Sequence, residues 1–193
     1  DVPALACPAF LLDVPEKETD DYTGISLRDL PLNGLSEATE KNRFIQKHLG
    51  YKTDRKPQEM QRAFHQNIRR ISDEFGDARH IPFHHLDTEF IKKFDGMEKF
   101  GANYSVESAL TRVNRAGRMI CMRYHSLVFS ILCNKPSIAI AYAPKVANLA
   151  KRAGIPCYKP YEEIGFEFQK PTNREEILSD AELNIEYIRE RLA

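Results

Sequence analysis

Chemistry-bearing residues gather at a few abrupt boundaries in this chain, each directly after a short apolar run. Arg123, Tyr124, His125 and Ser126 follow the apolar residues 119–122, while Tyr142 and Lys145 close the run that starts at Ser137. Arg28 ends the segment Thr-Gly-Ile-Ser-Leu, and His84, His85 and Asp87 end the run over 78–83. A guanidinium is planar and donates two parallel hydrogen bonds, which suits it to a carboxylate or a phosphate. An imidazole titrates near neutral pH and can give or take a proton. The chemistry on offer is therefore the holding of an oxyanion and the movement of a proton. In open parallel sheets, ligands bind just beyond the carboxyl ends of strands.

The elements that must position these residues follow from hydrophobic spacing. Residues 119–156 read as strand, helix, strand, helix: Leu127, Val128, Ile131 and Leu132 recur at helical spacing, and Asn134 and Pro136 stop the helix. Upstream, 4–12 is apolar enough for a strand or a strand–helix junction, and 22–27 alternates as the first strand of the main sheet. Ser36 is placed to cap a helix over 37–48, ended by Gly50. Met60, Phe64, Ile68, Ile71 and Phe75 predict a helix over 58–75. A second strand over 78–83 leads to a short helix over 88–94 and a brief third strand over 100–104. Ser105 then caps a helix over 106–116 with Ala109, Leu110 and Val113 inward, and Gly117 stops it. A last strand over 155–158 precedes an amphipathic C-terminal docking helix over 174–192. Its apolar positions are Ile177, Leu178, Ala181, Leu183, Ile185, Tyr187, Ile188 and Leu192.

This alternation predicts one doubly wound, mostly parallel, Rossmann-like α/β domain over 1–193. With the common strand order 3-2-1-4-5-6, the strand at 22–27 lies beside the strand at 119–122. Arg28 and the Arg123-Tyr124-His125 trio would then flank the topological switch point.

Bulk properties exclude several classes of partner. The chain has 193 residues, 42% hydrophobic and 29% charged, with 28 Lys and Arg balancing 28 Asp and Glu. A neutral chain carries no electrostatic footprint for nucleic acid, and no apolar run approaches the ~20 residues of a membrane span. Cys7, Cys121, Cys133 and Cys157 form no Cys-x-x-Cys pair, so reduced, buried cysteines in a cytoplasmic protein are expected. His84-His85-Leu86-Asp87 lacks further ligands at sensible spacing, and no metal is expected there. The chain opens at Asp1 without Met and runs quickly into strand-like sequence, as expected of a piece of a longer protein.

Several of these segments, in this order, resemble the polysaccharide pyruvyl transferase family. They are Gly-Ile-Ser-Leu-Arg at 24–28, Ile-Pro-Phe-His at 81–84 with Asp87, Ser-Val-Glu-Ser at 105–108, and Met-Arg-Tyr-His-Ser-Leu-Val-Phe-Ser at 122–130. A Pro-led strand ending in Tyr142 and Lys145 completes the set. The Arg-x-His segment with its helix and the Tyr-x-x-Lys are the most specific parts. The resemblance spans roughly residues 22–158 and corresponds to the C-terminal half of a two-domain, GT-B-like architecture. The N-terminal partner domain that forms the other wall of the cleft is expected to be absent from this chain, and the polar stretch over 31–57 is longer than usual for the family.

What the resemblance implies is transfer of a pyruvyl group from phosphoenolpyruvate onto two sugar hydroxyls, forming a cyclic ketal on a cell-surface glycan, with no cofactor. Arg28 and Arg123 match the family's arginines and would hold the donor's carboxylate and phosphate; ion pairing at a strand end is the plainer role for each. His125 would do acid/base work or bind phosphate, and the residue type leaves both open. Backbone amides near Ser126 and Leu127, at a helix start, would add donors to a phosphate oxygen. Lys145 would neutralise phosphate or lie in solvent; Tyr142 would line the pocket or pack in the core. His84 is a further donor-site candidate, whereas Asp87 reads first as a helix cap, and His80 and Cys121 as structural. Two other readings remain: a GT-B glycosyltransferase half that binds a nucleotide sugar, with Glu162-Glu163 the only nearby acidic pair, and a non-catalytic subunit of a split enzyme. A missing domain or a second copy of the chain would complete either cleft.

Overall fold

The structure is a computed structural model and describes residues 6–16, 20–30, 56–101 and 103–192. The helix expected over 37–48 lies outside the described residues. Six short strands form one sheet: β1 (Thr23–Ser26), β2 (Arg79–His80), β3 (Glu98–Lys99), β4 (Arg118–Cys121), β5 (Ser137–Ile140) and β6 (Cys157–Tyr158). Their order is β3-β2-β1-β4-β5-β6, and every adjacent pair is parallel. This is the doubly wound, Rossmann-like arrangement and the strand order expected from the sequence.

Period-two alternation sends successive strand side chains to opposite faces. Ile25, Leu27, Ile120, Met122, Ile138 and Ile140 point to one face, where they meet α1 (Pro57–Glu74) and α2 (His85–Ile91). All five residues whose spacing announced α1, namely Met60, Phe64, Ile68, Ile71 and Phe75, are buried there. Phe64 stacks on Phe90 of α2 with ring centroids 6.0 Å apart. Met119, Cys121, Ala139 and Ala141 point to the other face, covered by α3 (Val106–Arg115), α4 (Tyr124–Leu132), α5 (Pro144–Ala153) and α6 (Arg174–Leu192). The chain changes face at α3, which places the switch point between β1 and β4.

The contact between those two strands is close. Gly24 is in register with Met119, and a Cβ at Gly24 would collide with the Met119 side chain and crowd Ala116 and Ile81. The helix ends follow local signals: Ser105 Oγ accepts the Ser108 amide at 3.1 Å to cap α3, and Gly154 takes the left-handed conformation (φ 66°) that ends α5.

Four expectations are corrected. The N-terminal apolar segment is a 3-10 helix, Pro8–Leu11, because Pro8 cannot donate to a ladder and the Phe10 amide turns back to Cys7 O at 3.1 Å. The third strand is Glu98–Lys99 rather than 100–104. Beyond Phe100 the Asn103 side chain accepts the Ser105 amide at 3.1 Å and turns the chain into α3. The short helix begins three residues early, since His84 rather than a later residue caps it. Finally, α6 spans the expected residues, but not all of its expected apolar positions face inward: Ile177 and Ala181 are buried, whereas Leu183 and Ile185 are 44% and 36% exposed. Its inward stripe continues through Asn184, whose side-chain amide donates to Ala6 O. Among the cysteines, Cys121 is fully buried, Cys7 and Cys133 are partly so, and Cys157 is exposed; all four are unpaired. No helix among the described residues is long and apolar enough to cross a membrane.

Candidate active site

The candidate residues sit where parallel strands end. Ser26 of β1 pairs with Cys121 of β4, and the Met122 amide extends that ladder to Ser26 O at 2.9 Å. Arg28 and Arg123 each lie two residues beyond this last pair, so both leave the sheet at the switch point.

Arg123 is the best-anchored of them. It is the N-cap residue of α4, and its Nε donates to both oxygens of Asp87, at 3.1 and 3.0 Å, while Nη2 donates to Oδ1. The Asp87 side chain is 1% exposed and that of Arg123 is 20% exposed. Asp87 also accepts the Phe83 amide at 3.3 Å. Asp87 is thus not the cap of α2. That role belongs to His84, whose Nδ1 accepts the Leu86 amide at 3.2 Å. His84 is exposed, and its ring lies 4.1 Å (centroid to centroid) from that of His85.

Beneath this ion pair lies His80, buried, with Nε2 3.4 Å from Leu27 O. Burial pushes its pKa down to about 4, against the smaller opposing pulls of Leu27 O and Asp87, so His80 is neutral near pH 7. Arg28 lies over the ring of Tyr142 with Cζ 4.8 Å from the centroid, joining the end of β1 to the end of β5 across β4. Its Nε donates to Asp29 O at 3.3 Å. Lys145, exposed in the first turn of α5, reaches over the Tyr124 ring with Nζ 5.4 Å from its centroid. His125, in the first turn of α4, is exposed, and its pKa is lowered, first by partial desolvation of the ring and then by the Lys145 charge.

Ser126 is wholly buried and its hydroxyl donates to Arg123 O at 2.7 Å, so it offers a ligand only its backbone. The Leu127 amide is not free, because it donates to Arg123 O at 3.2 Å as the first intrahelical bond of α4. The amides of Tyr124, His125 and Ser126, ahead of that first bond, are the ones a helix start leaves over. Three concavities of about 460, 380 and 480 Å³ lie elsewhere, against α3, between α1 and Tyr161, and at the amino ends of β1 and β4. They are lined mainly by residues with structural partners, such as the Thr23–Asp77 and Arg118–Thr23 contacts.

The structure therefore brings Arg28 together with Tyr142 and Arg123 with Asp87, while Lys145 packs on Tyr124, the chain neighbour of His125. The Arg123–Asp87 pair was not legible in sequence, since the two residues are 36 positions apart and Asp87 carries an adequate local explanation. The packing of Lys145 on Tyr124 was missed for the same reason.

Fold and site together define a Rossmann-like domain whose switch point gathers arginine, histidine and lysine side chains at the carboxyl ends of its strands. The chain belongs to the polysaccharide pyruvyl transferase family: the family model described as polysaccharide pyruvyl transferase matches residues 1–144. That match takes in the N-terminal part of this chain rather than residues 22–158, and it contains every candidate except Lys145, which directly follows it. Membership places the chain among transferases and implies a sugar or glycan acceptor. No curated protein and no solved structure matches the chain.

Proposed function

We propose that the donor is phosphoenolpyruvate and that the product is a pyruvyl ketal bridging two hydroxyls of one sugar. The observation that carries this is the grouping of Arg28, Arg123, His125 and Lys145 at the carboxyl ends of β1, β4 and β5. The donor bears a carboxylate and a phosphate, and two guanidinium groups with an ammonium meet both. Protonation of the methylene carbon makes C2 electrophilic. One acceptor hydroxyl then adds to C2, the C2–O bond to phosphate breaks, and the second hydroxyl closes the ring. Of the two hydroxyl protons, one ends on the new methyl group and the other on the released phosphate. His125, its pKa depressed, is neutral near pH 7 and suited to accept a hydroxyl proton. Lys145 and the free first-turn amides of α4 then face the developing phosphate charge.

A nucleotide-sugar donor would call for an acidic group free to hold a ribose. Glu163 pairs with Arg70 at 3.3 Å and Glu162 with Lys159 at 3.1 Å, so both acids have local partners. In this reading the chain supplies one wall of a cleft, and the acceptor-side wall comes from a further domain or a second copy.

Thermal unfolding with each ligand tests the donor. Phosphoenolpyruvate raises the midpoint and uridine nucleotides do not, and Arg123→Ala and His125→Ala lose the effect. Protection by uridine nucleotides instead, or protection that survives both substitutions, would reject this assignment. Phosphate release with a sugar acceptor separates an active enzyme from a binding subunit.

A further inference from the structure

We infer that Asp87 is a positioning residue for donor binding, acting through Arg123, which rests on the donor reading above. A guanidinium has two forked edges, one made by Nε with the near hydrogen of Nη2 and the other by Nη1 with the far hydrogen of Nη2. Asp87 occupies the first, taking Nε at 3.1 and 3.0 Å as well as Nη2. Among the described residues Arg123 has no other side-chain hydrogen bond, so the Nη1/Nη2 edge is the one left for a ligand. Arg123 can then grip a donor oxyanion only end-on.

The carboxylate is itself fixed. It is 1% exposed, sits in the first turn of α2, and holds the Phe83 amide at 3.3 Å. Two side-on bonds to an immobile acceptor define the guanidinium plane as well as its position, which a single bond would not. Asp87 lies on α2, the helix that follows β2, so the pair also ties the end of β4 to that helix across β1, near the buried His80. A cap for α2 is already provided by His84. Local helix capping therefore leaves the full burial of this acid and its two-bond pairing unexplained.

Coulombic attraction and orientation make opposite predictions for Asp87→Asn. Removing a negative charge beside an anion site strengthens anion binding by charge alone. Releasing the guanidinium weakens it, because a fork already held in place loses less freedom for each hydrogen bond it forms to a ligand.

The test is calorimetric titration of the full chain with phosphoenolpyruvate, with binding stoichiometry reporting the folded fraction. Asp87→Asn is expected to weaken affinity by up to about tenfold at unchanged stoichiometry, the cost of ordering one long side chain on binding. Asp87→Glu, which restores the charge and a two-oxygen acceptor, is expected to recover part of that loss. Native-strength or tighter binding by Asp87→Asn overturns the inference, as does a Glu variant no better than Asn. Should the Asn variant not fold, Asp87→Glu alone decides: several-fold weaker binding than native supports positioning, and native affinity rejects it. No binding by the native chain overturns the donor reading and this inference together, whereas native binding indifferent to Asp87 overturns this one alone.

Discussion

At the switch point, neighbouring side chains change the properties of one another. His125 is the clearest case, because its depressed pKa has two causes and one of them, the Lys145 charge, can be removed. If His125 acts as the base, kcat/KM falls on the acid side as the ring protonates, with a limb below the ordinary histidine range. Lys145→Gln takes away a neighbouring positive charge, makes protonation easier and raises the pKa. The acid limb of the pH–rate profile is therefore expected to move to higher pH, besides any loss of phosphate binding. A profile whose acid limb does not move would detach Lys145 from His125. His80, buried and neutral, titrates near pH 4, well below any such limb. Much of this scale was legible in advance. Residue types at strand ends pointed to Arg28, Arg123, His125, Tyr142 and Lys145 because an apolar run that stops at a cation is a local pattern. The partners were not legible, since Asp87 meets Arg123 only after three crossovers have brought β2 and β4 to either side of β1.

Among the elements, β1 and β4 matter most, because their register sets the separation of Arg28 from Arg123. Gly24 permits that register, as Met119, Ala116 and Ile81 fill the space a side chain would need. Gly24→Ala is expected to cost about 1–3 kcal/mol of stability by overpacking, and the melting temperature in a denaturation series measures it. A shift of a few tenths would mean that the flexible Met119 side chain simply moves aside. Ser105→Ala removes the one side-chain cap of α3 and is expected to cost about 1 kcal/mol. Element boundaries in the sequence erred where a side chain rather than periodicity decided them. His84 starts α2 early and Asn103 ends β3 early, each through a bond to a backbone amide two residues on. Such bonds depend on a rotamer and a turn geometry, and neither leaves a trace in hydrophobic spacing.

For the whole molecule, the sheet is clothed on both faces, and α6 joins one of the two cores through Ile177 and Ala181. Ile177→Ala should destabilise the protein by about 2–5 kcal/mol, whereas Leu183→Ala should stay within about 0.5 kcal/mol; chemical denaturation separates the two. A comparable loss at both positions would show that the Leu183 face of α6 is packed as well. The sequence by itself determined the class of fold and the residues at the carboxyl ends, and the strand order common to that class is the one observed. Period-two and period-3.6 patterns are local, and handedness and chain connectivity leave few ways to join them. It also carried the family resemblance, which the family match confirms. Only the tertiary structure decided which partners the cations meet. The orientation of a guanidinium, the commitment of the Leu127 amide and the partners of Asp87 depend on contacts between segments far apart in the chain. Those contacts are set by packing, and no spacing along the sequence encodes which edge of Arg123 remains for a ligand.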